Sequence, residues 1–250
     1  MTKLSVNVNK IALLRNSRGH DAPNVVEFAR RFIELGVTGI TIHPRQDERH
    51  ITRQDARDLG DLIRPLNDIE LNIEGYPSET FLQLIEEVRP DQTTLVPDAP
   101  DQLTSDHGFD FHTQAEFLDP ILTRLKATGT RVSVFLDPDV EQVKLAAQSK
   151  TDRIELYTEE YASQFHRPQH TEVHQRFHDA AVEAQKLGLG VNAGHDLNLE
   201  NLPAFLNIPG ILEVSIGHAL IVECLEYGMP FVARRYLDIC RRSALTHSEQ

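Results

Sequence analysis

GITIHPRQDERHI, residues 39–51, opens as a strand and ends as a charged loop. Ile40, Thr41 and Ile42 are apolar or β-branched, which suits a pleated, buried surface. His43, Arg45, Asp47, Glu48, Arg49 and His50 then crowd the next positions, and Pro44 prevents a helix from running across them. In α/β folds with parallel strands, ligands bind beyond the carboxyl ends of the strands. The stretch is therefore either one edge of an active site or an unusually charged loop.

Outward from it, strand-like segments alternate with helical ones. Strands are expected near Leu4–Val8, Thr38–His43, Ile69–Ile73, Thr93–Val96, Arg131–Leu136, Arg153–Leu156, Leu189–Asn192 and Leu212–Ile216. Helices are expected near Asn24–Leu35, Arg53–Leu62, Ser78–Val88, Gln114–Ala127, Asp139–Gln148, Thr171–Leu187, Leu199–Leu206 and from His218 onward. Strand–helix alternation implies a parallel sheet, and eight such units close an α/β barrel of the (β/α)8 TIM type. Pro230–Ala244 reads as an additional C-terminal helix. No linker or low-complexity stretch interrupts residues 1–250, which favours a single barrel domain.

The helix ends agree. Asn24 with Glu27 and Asp139 with Gln142 have capping-box spacing, and Ser78 and Thr171 are placed to cap their helices. Gly36, Gly129 and Gly188 each follow a helical run and precede a strand, where a left-handed residue is wanted. Two connections, from Pro97 to about Thr113 and from Tyr157 to His170, are too long for simple turns. Long structured loops serve as lids, as surface excursions or as subunit contacts.

The balance of 25 Lys+Arg against 38 Asp+Glu gives a formal charge of −13, so nucleic acid and anionic membranes are disfavoured as partners. Cys224 and Cys240 have no metal or redox spacing, which fits a reducing compartment. No apolar h-region opens the chain and no apolar run approaches the ~20 residues of a membrane span. The expectation is a cytoplasmic protein.

Polar groups recur where strands finish. Asn7, Asn9, Lys10, Arg15 and Arg18 follow the first strand, and His43, Arg45 and His50 the second. Glu74 closes the third, and Glu155 sits inside the apolar sixth. Asn192 and His195 end the seventh, and Gly217 and His218 open the helix after the eighth. In a barrel these ends converge on one mouth. The histidines suit proton transfer near neutrality, and a desolvated Glu155 favours its neutral form or needs a partner. Arg18 and Arg45 offer forked donors for phosphate, as do the N–H groups at the helix start at Gly217. Against this, His43 and His195 could be structural, and Glu74 and Glu155 could pair with an arginine such as Arg153. Arg15 and Arg18 could be solvated loop charges. His170, His174 and His178 have helical i, i+4, i+8 spacing that could bind metal, but no acidic triad flanks them, and a solvated face is the better reading.

The pieces SVNVNKIALLRNSRG, GITIHPRQDERHI, LNIEG, TLVPD with Thr104, DRIELYT, VNAGHDLN and EVSIGHAL run in order from residue 5 to residue 220. Together they resemble the pyridoxine 5′-phosphate synthase family of deoxyxylulose-dependent vitamin B6 biosynthesis. The resemblance implies condensation of 3-amino-2-oxopropyl phosphate with 1-deoxy-D-xylulose 5-phosphate to give pyridoxine 5′-phosphate, phosphate and water, without metal or organic cofactor. It implies that His43 and Glu74 act as general bases, His195 as general acid and Glu155 as stabiliser of a charged intermediate. It also implies that Asn7, Arg18, Asp196, Gly217 and His218 contact the amino-ketone phosphate, and that Arg45, His50 and Thr104 hold the sugar phosphate. The loop carrying Thr104 resembles the family's closing lid, and the family forms octamers built from dimers.

Two places depart from the family pattern. Asn9 and Lys10 stand where many members have Asp-His contacting the sugar phosphate, and Asp196 stands where many have glycine. Lys10 keeps a phosphate donor and adds charge, while Asn9 removes an acid–base group. Two other readings compete. A metal-dependent barrel hydrolase would use His43, His195, His218 and a carboxylate, but its first strand would carry a His-x-His pair where this one reads VNVN. A catalytically silent barrel binding phosphorylated small molecules would not need His43, Glu74, Glu155 and His195 together.

Overall fold

The computed structural model describes residues 1–98 and 105–246, with side chains through 242. Eight parallel strands close a barrel in chain order. They are β1 (Lys3–Asn7), β2 (Gly39–Ile42), β3 (Glu70–Gly75), β4 (Gln92–Leu95), β5 (Arg131–Leu136), β6 (Arg153–Tyr157), β7 (Gly190–Gly194) and β8 (Ile211–Ile216). The barrel closes where β8 returns to β1, with Lys3 opposite Glu213 and Val6 opposite Ile216. Among the described residues, no helix is long and apolar enough to cross a membrane.

The strands alternate apolar and polar positions, and a period of two sends these to opposite faces. Leu4, Val6, Ile40, Ile42, Leu71 and Ile73 are fully buried under the surrounding helices. Burial of each such side chain stabilises the fold by roughly 1.5–3 kcal/mol. The inner face carries hydrogen-bonding groups. Ser5 and Thr41 hydroxyls lie 2.6 Å apart, and Thr94 donates to Asn72 at 3.1 Å. Gln92 on β4 donates to Glu213 on β8 at 3.0 Å, straight across the barrel. Barrel interiors are more often filled by branched apolar side chains. Here these buried polar groups hydrogen-bond one another, which offsets the penalty of burying them, although the Ser133 hydroxyl on β5 is buried without a partner among the described residues.

The helices are α1 (Asn9–Asn16), α2 (Val25–Glu34), α3 (Arg53–Ile63), α4 (Glu79–Val88), α5 (Phe111–Lys126), α6 (Val140–Ala146), α7 (Glu159–Gln164), α8 (His170–Lys186), α9 (Leu202–Phe205), α10 (His218–Tyr227) and α11 (Met229–Thr246). Gly36, Gly129 and Gly188 take φ of +100°, +88° and +85°, the left-handed turn that each helix-to-strand junction requires. Asn24 caps α2 by accepting from Glu27 N–H, and Ser78 caps α4 by accepting from Phe81 N–H. Asp139 caps α6, but Gln142 does not answer it as a box would. Its amide instead accepts from Phe111 N–H and donates to Asp110, tying α6 to the start of α5. The reciprocal capping box is Thr52 with Asp55, at α3. Thr171 is not a cap: α8 starts one residue earlier, with Gln169 before it.

Two helices escape the sequence pattern. α1 follows β1 directly and leaves Leu13 and Leu14 exposed, so its apolar residues do not mark an inward stripe. α7 lies within the second long connection. Its N-cap Thr158 makes no capping bond, because its hydroxyl is engaged with the carbonyls of Gly194 and His195.

Candidate active site

A cavity of about 550 Å³ occupies the carboxyl end of the barrel. Asn7, Asn9 and Lys10 line it from β1 and α1, and His43, Arg45 and His50 from the β2 loop. Glu74, Glu155, His195 and Asp196 line it from β3, β6 and β7, and Gly217 and His218 from the start of α10. Twelve of the fourteen site residues expected from sequence therefore share one space. Arg18 does not: it is exposed, past the end of α1, and away from the cavity lining. Thr104 lies outside the described residues.

His43 and Glu74 face each other, with Nδ1 3.9 Å from Oε2. Burial drives the His43 imidazole well below its usual range, and the charges of Arg45, His50 and Arg49 push the same way. Burial also drives the Glu74 carboxyl well above its usual range, helped by the nearby carboxylates of Glu155 and Asp98. The two shifts favour a neutral imidazole beside a protonated carboxyl rather than an ion pair. Glu155 is 2 % exposed and pushed up to about 8 by burial and by Glu213. The Thr94 hydroxyl lies 3.3 Å from its Oε2 and shares its single proton between this carboxyl and Asn72. Arg153 does not pair with it, but donates to Asn192 at 3.0 Å nearer the other end of the barrel.

The rim beside this pair is cationic. Arg45 donates to buried Asp98 at 2.7 Å, and Asp98 also accepts from Ser105. His50 accepts from Ile51 N–H through Nδ1, which fixes its neutral tautomer with the proton on Nε2. Burial, then Arg45, Lys10 and Arg49, lower its imidazole to about 4. Asn9 accepts from His43 N–H at 2.9 Å, so this residue also holds the base loop in place. Arg15 is neither solvated nor in the cavity. Its guanidinium grips Asp55 and donates to the His50 carbonyl, pinning the loop to α1 and α3.

On the far side, His195 and Asp196 sit in a turn with φ of +93° and +59°. Gly194 before them has no room for a side chain: a Cβ there would stand 2.5 Å from Glu155 Oε1. The His195 ring packs edge-on against Tyr157, with centroids 5.0 Å apart, and the Tyr157 hydroxyl donates to the Ser105 carbonyl. Gly217 packs on Asn7, and the first N–H groups of α10 follow it. Arg49, Asp98, Ser105 and Tyr157 join the site unannounced. Arg49 was visible in the charged loop; the other three have no distinguishing spacing.

Among the described residues, no three His, Cys, Asp or Glu side chains are grouped to hold a metal ion. His43, His195 and His218 do not form the donor set of a hydrolase. His174 donates its Nε2–H to the Ala204 carbonyl at 3.1 Å and packs on Tyr161, so the α8 histidines make no metal stripe.

The sequence model of a family described as pyridoxal phosphate biosynthesis protein PdxJ matches residues 4–242. A pyridoxine 5′-phosphate synthase of Bacteroides thetaiotaomicron is 50% identical over 242 residues, 96% of this chain and 100% of the relative. One of Porphyromonas gingivalis is 49% identical over 239 residues, 95% of this chain and 98% of the relative. Among solved structures, the tryptophan synthase alpha subunit of Legionella pneumophila superposes with a TM-score of 0.61 at 14% identity, covering 97% of this chain and 92% of that one. That likeness concerns the barrel alone.

Proposed function

Because the chain belongs to the PdxJ family of pyridoxal phosphate biosynthesis proteins, we infer that it catalyses the pyridoxine 5′-phosphate synthase reaction. It joins 3-amino-2-oxopropyl phosphate to 1-deoxy-D-xylulose 5-phosphate, releasing phosphate and water as the pyridine ring closes. The observation that carries this reading is the convergence of His43, Glu74, Glu155 and His195 on one cavity bordered by cationic groups.

The chemistry needs many proton transfers and two phosphate sites. Imine formation loses water, aldol-type closure needs a carbanion, and aromatisation removes further protons. His43, neutral in its buried setting, accepts a proton, and Glu74 exchanges it across the short gap between them. His195 serves as the acid on the opposite wall. Glu155 stabilises cationic intermediates when ionised. Arg45, His50 and Lys10 hold the sugar phosphate. The N–H groups at Gly217 and His218, with Asn7 and the Asp196 backbone, hold the amino-ketone phosphate. Asn9 acts through His43. The chain works as one barrel domain, in the cytoplasm, and assembles into homo-octamers.

The test is turnover by the purified protein in EDTA, with both substrates supplied and product followed by absorbance and mass. Pyridoxine 5′-phosphate formed at a steady rate supports the synthase. Tight binding of both phosphates without product would favour a silent barrel instead.

A further inference from the structure

His195 is held on three sides. The Thr158 hydroxyl reaches the carbonyls of Gly194 and His195, and the Tyr157 ring lies against the imidazole. The third neighbour is Asp196, whose Oδ2 stands 3.2 Å from His195 Nδ1. That nitrogen is shut off from solvent, although the side chain as a whole is 25 % exposed. The cavity is therefore left to Nε2.

The backbone makes this contact possible. A φ of +59° at residue 196 is left-handed, a region that glycine takes freely and that Asp or Asn tolerate better than other side chains. An aspartate at this corner turns its carboxylate back toward the preceding ring. The carboxyl is held below its usual range, first by the His195 imidazole at this 3.2 Å contact and then, against burial, by the charges of His195, His218 and Lys10. It is thus an acceptor at neutral pH.

We propose that Asp196 is a positioning residue for His195: its carboxylate receives the Nδ1–H and so directs Nε2 into the cavity. A carboxylate behind an imidazole fixes both tautomer and ring angle. Asp196 does this through its side chain, separately from any contact its backbone makes with phosphate. The proposal rests on His195 being the acid, so the experiment separates the two.

Asp196→Gly and Asp196→Asn both fit the left-handed backbone. With histidine labelled in ¹⁵N, the His195 ring signals are identified by their loss in His195→Asn. Wild type is expected to show a single tautomer protonated at Nδ1 when neutral, and Asp196→Gly a mixture. Turnover in Asp196→Gly should fall about tenfold, with KM for each substrate within about twofold, because only ring orientation is lost. Asp196→Asn keeps an acceptor oxygen and should fall between. Unchanged turnover and an unchanged tautomer in both variants would overturn the proposal. So would a raised KM with turnover intact, since that places the carboxylate on substrate. Full activity in His195→Asn would instead remove the acid assignment itself.

Discussion

A carboxyl as deeply buried as Glu155, beside a threonine hydroxyl that it shares with Asn72, has little reason to ionise. Its pKa rises from the usual range to about 8 on folding. A group whose folded pKa is raised contributes stability that is complete below the unfolded pKa, near 4.5, and lost as pH climbs through about 8. Glu155→Gln, which does not titrate, should therefore gain stability relative to wild type between pH 5 and pH 8.5, by roughly 2–4 kcal/mol in urea unfolding. Equal pH dependence in the two proteins would show that Glu155 is already charged in the native state. The same variant should lose turnover, as expected where a functional charge is kept at a cost in stability. Glu155 was legible in the sequence because it is the one carboxylate in RIELY, with Arg153 as the charged neighbour facing the same way. That arginine lies one interior layer away, a separation only the structure reveals.

The element that most shapes the site is α1, together with the ion pair it makes. Arg15 and Asp55 are both largely buried, at 12% and 10% side-chain exposure, and the second guanidinium nitrogen bonds Asp55 at 2.8 Å. Asn16 adds donations to the carbonyls of Arg49 and His50. The active-site loop thus hangs from α1 on one side and from the capping box of α3 on the other. Removing one partner of a buried pair leaves the other uncompensated and typically costs about 3–5 kcal/mol. Arg15→Met should lower the urea midpoint accordingly and raise KM for the sugar phosphate more than KM for the amino ketone. A stability change below about 0.5 kcal/mol would mean the pair is no better than a solvated one. This helix was hidden because its leucines face outward and no capping side chain opens it. By contrast α2 buries Val25, Ala29 and Phe32 on one stripe and was plain from spacing.

At the scale of the molecule, strand order and barrel closure followed from alternation alone, since right-handed strand–helix–strand units admit few arrangements. The convergence of strand ends followed from the same logic, and it gathered residues from 7 to 218 into one cavity. What alternation could not give is the content of the interior. A strand such as ELNIEG reads equally well as half-exposed or as facing a polar barrel core. Nor could it give the left-handed turn at His195 and Asp196, which is held by the Thr158 hydroxyl after β6 and by the Tyr157 ring. Arg18, expected in the site from the family resemblance as well as from its place after a strand end, lies past an eight-residue helix at an exposed position outside the cavity lining.

The claim on which the rest depends is that His43 and Glu74 move the protons of the condensation. The most direct measurement is pyridoxine 5′-phosphate formed by His43→Ala and Glu74→Gln beside wild type, with folding of each verified by circular dichroism. Loss of about 10²-fold or more in turnover for both variants, with phosphate binding retained, is the expected result. Wild-type turnover in either folded variant would contradict the account and return this pair to a structural role.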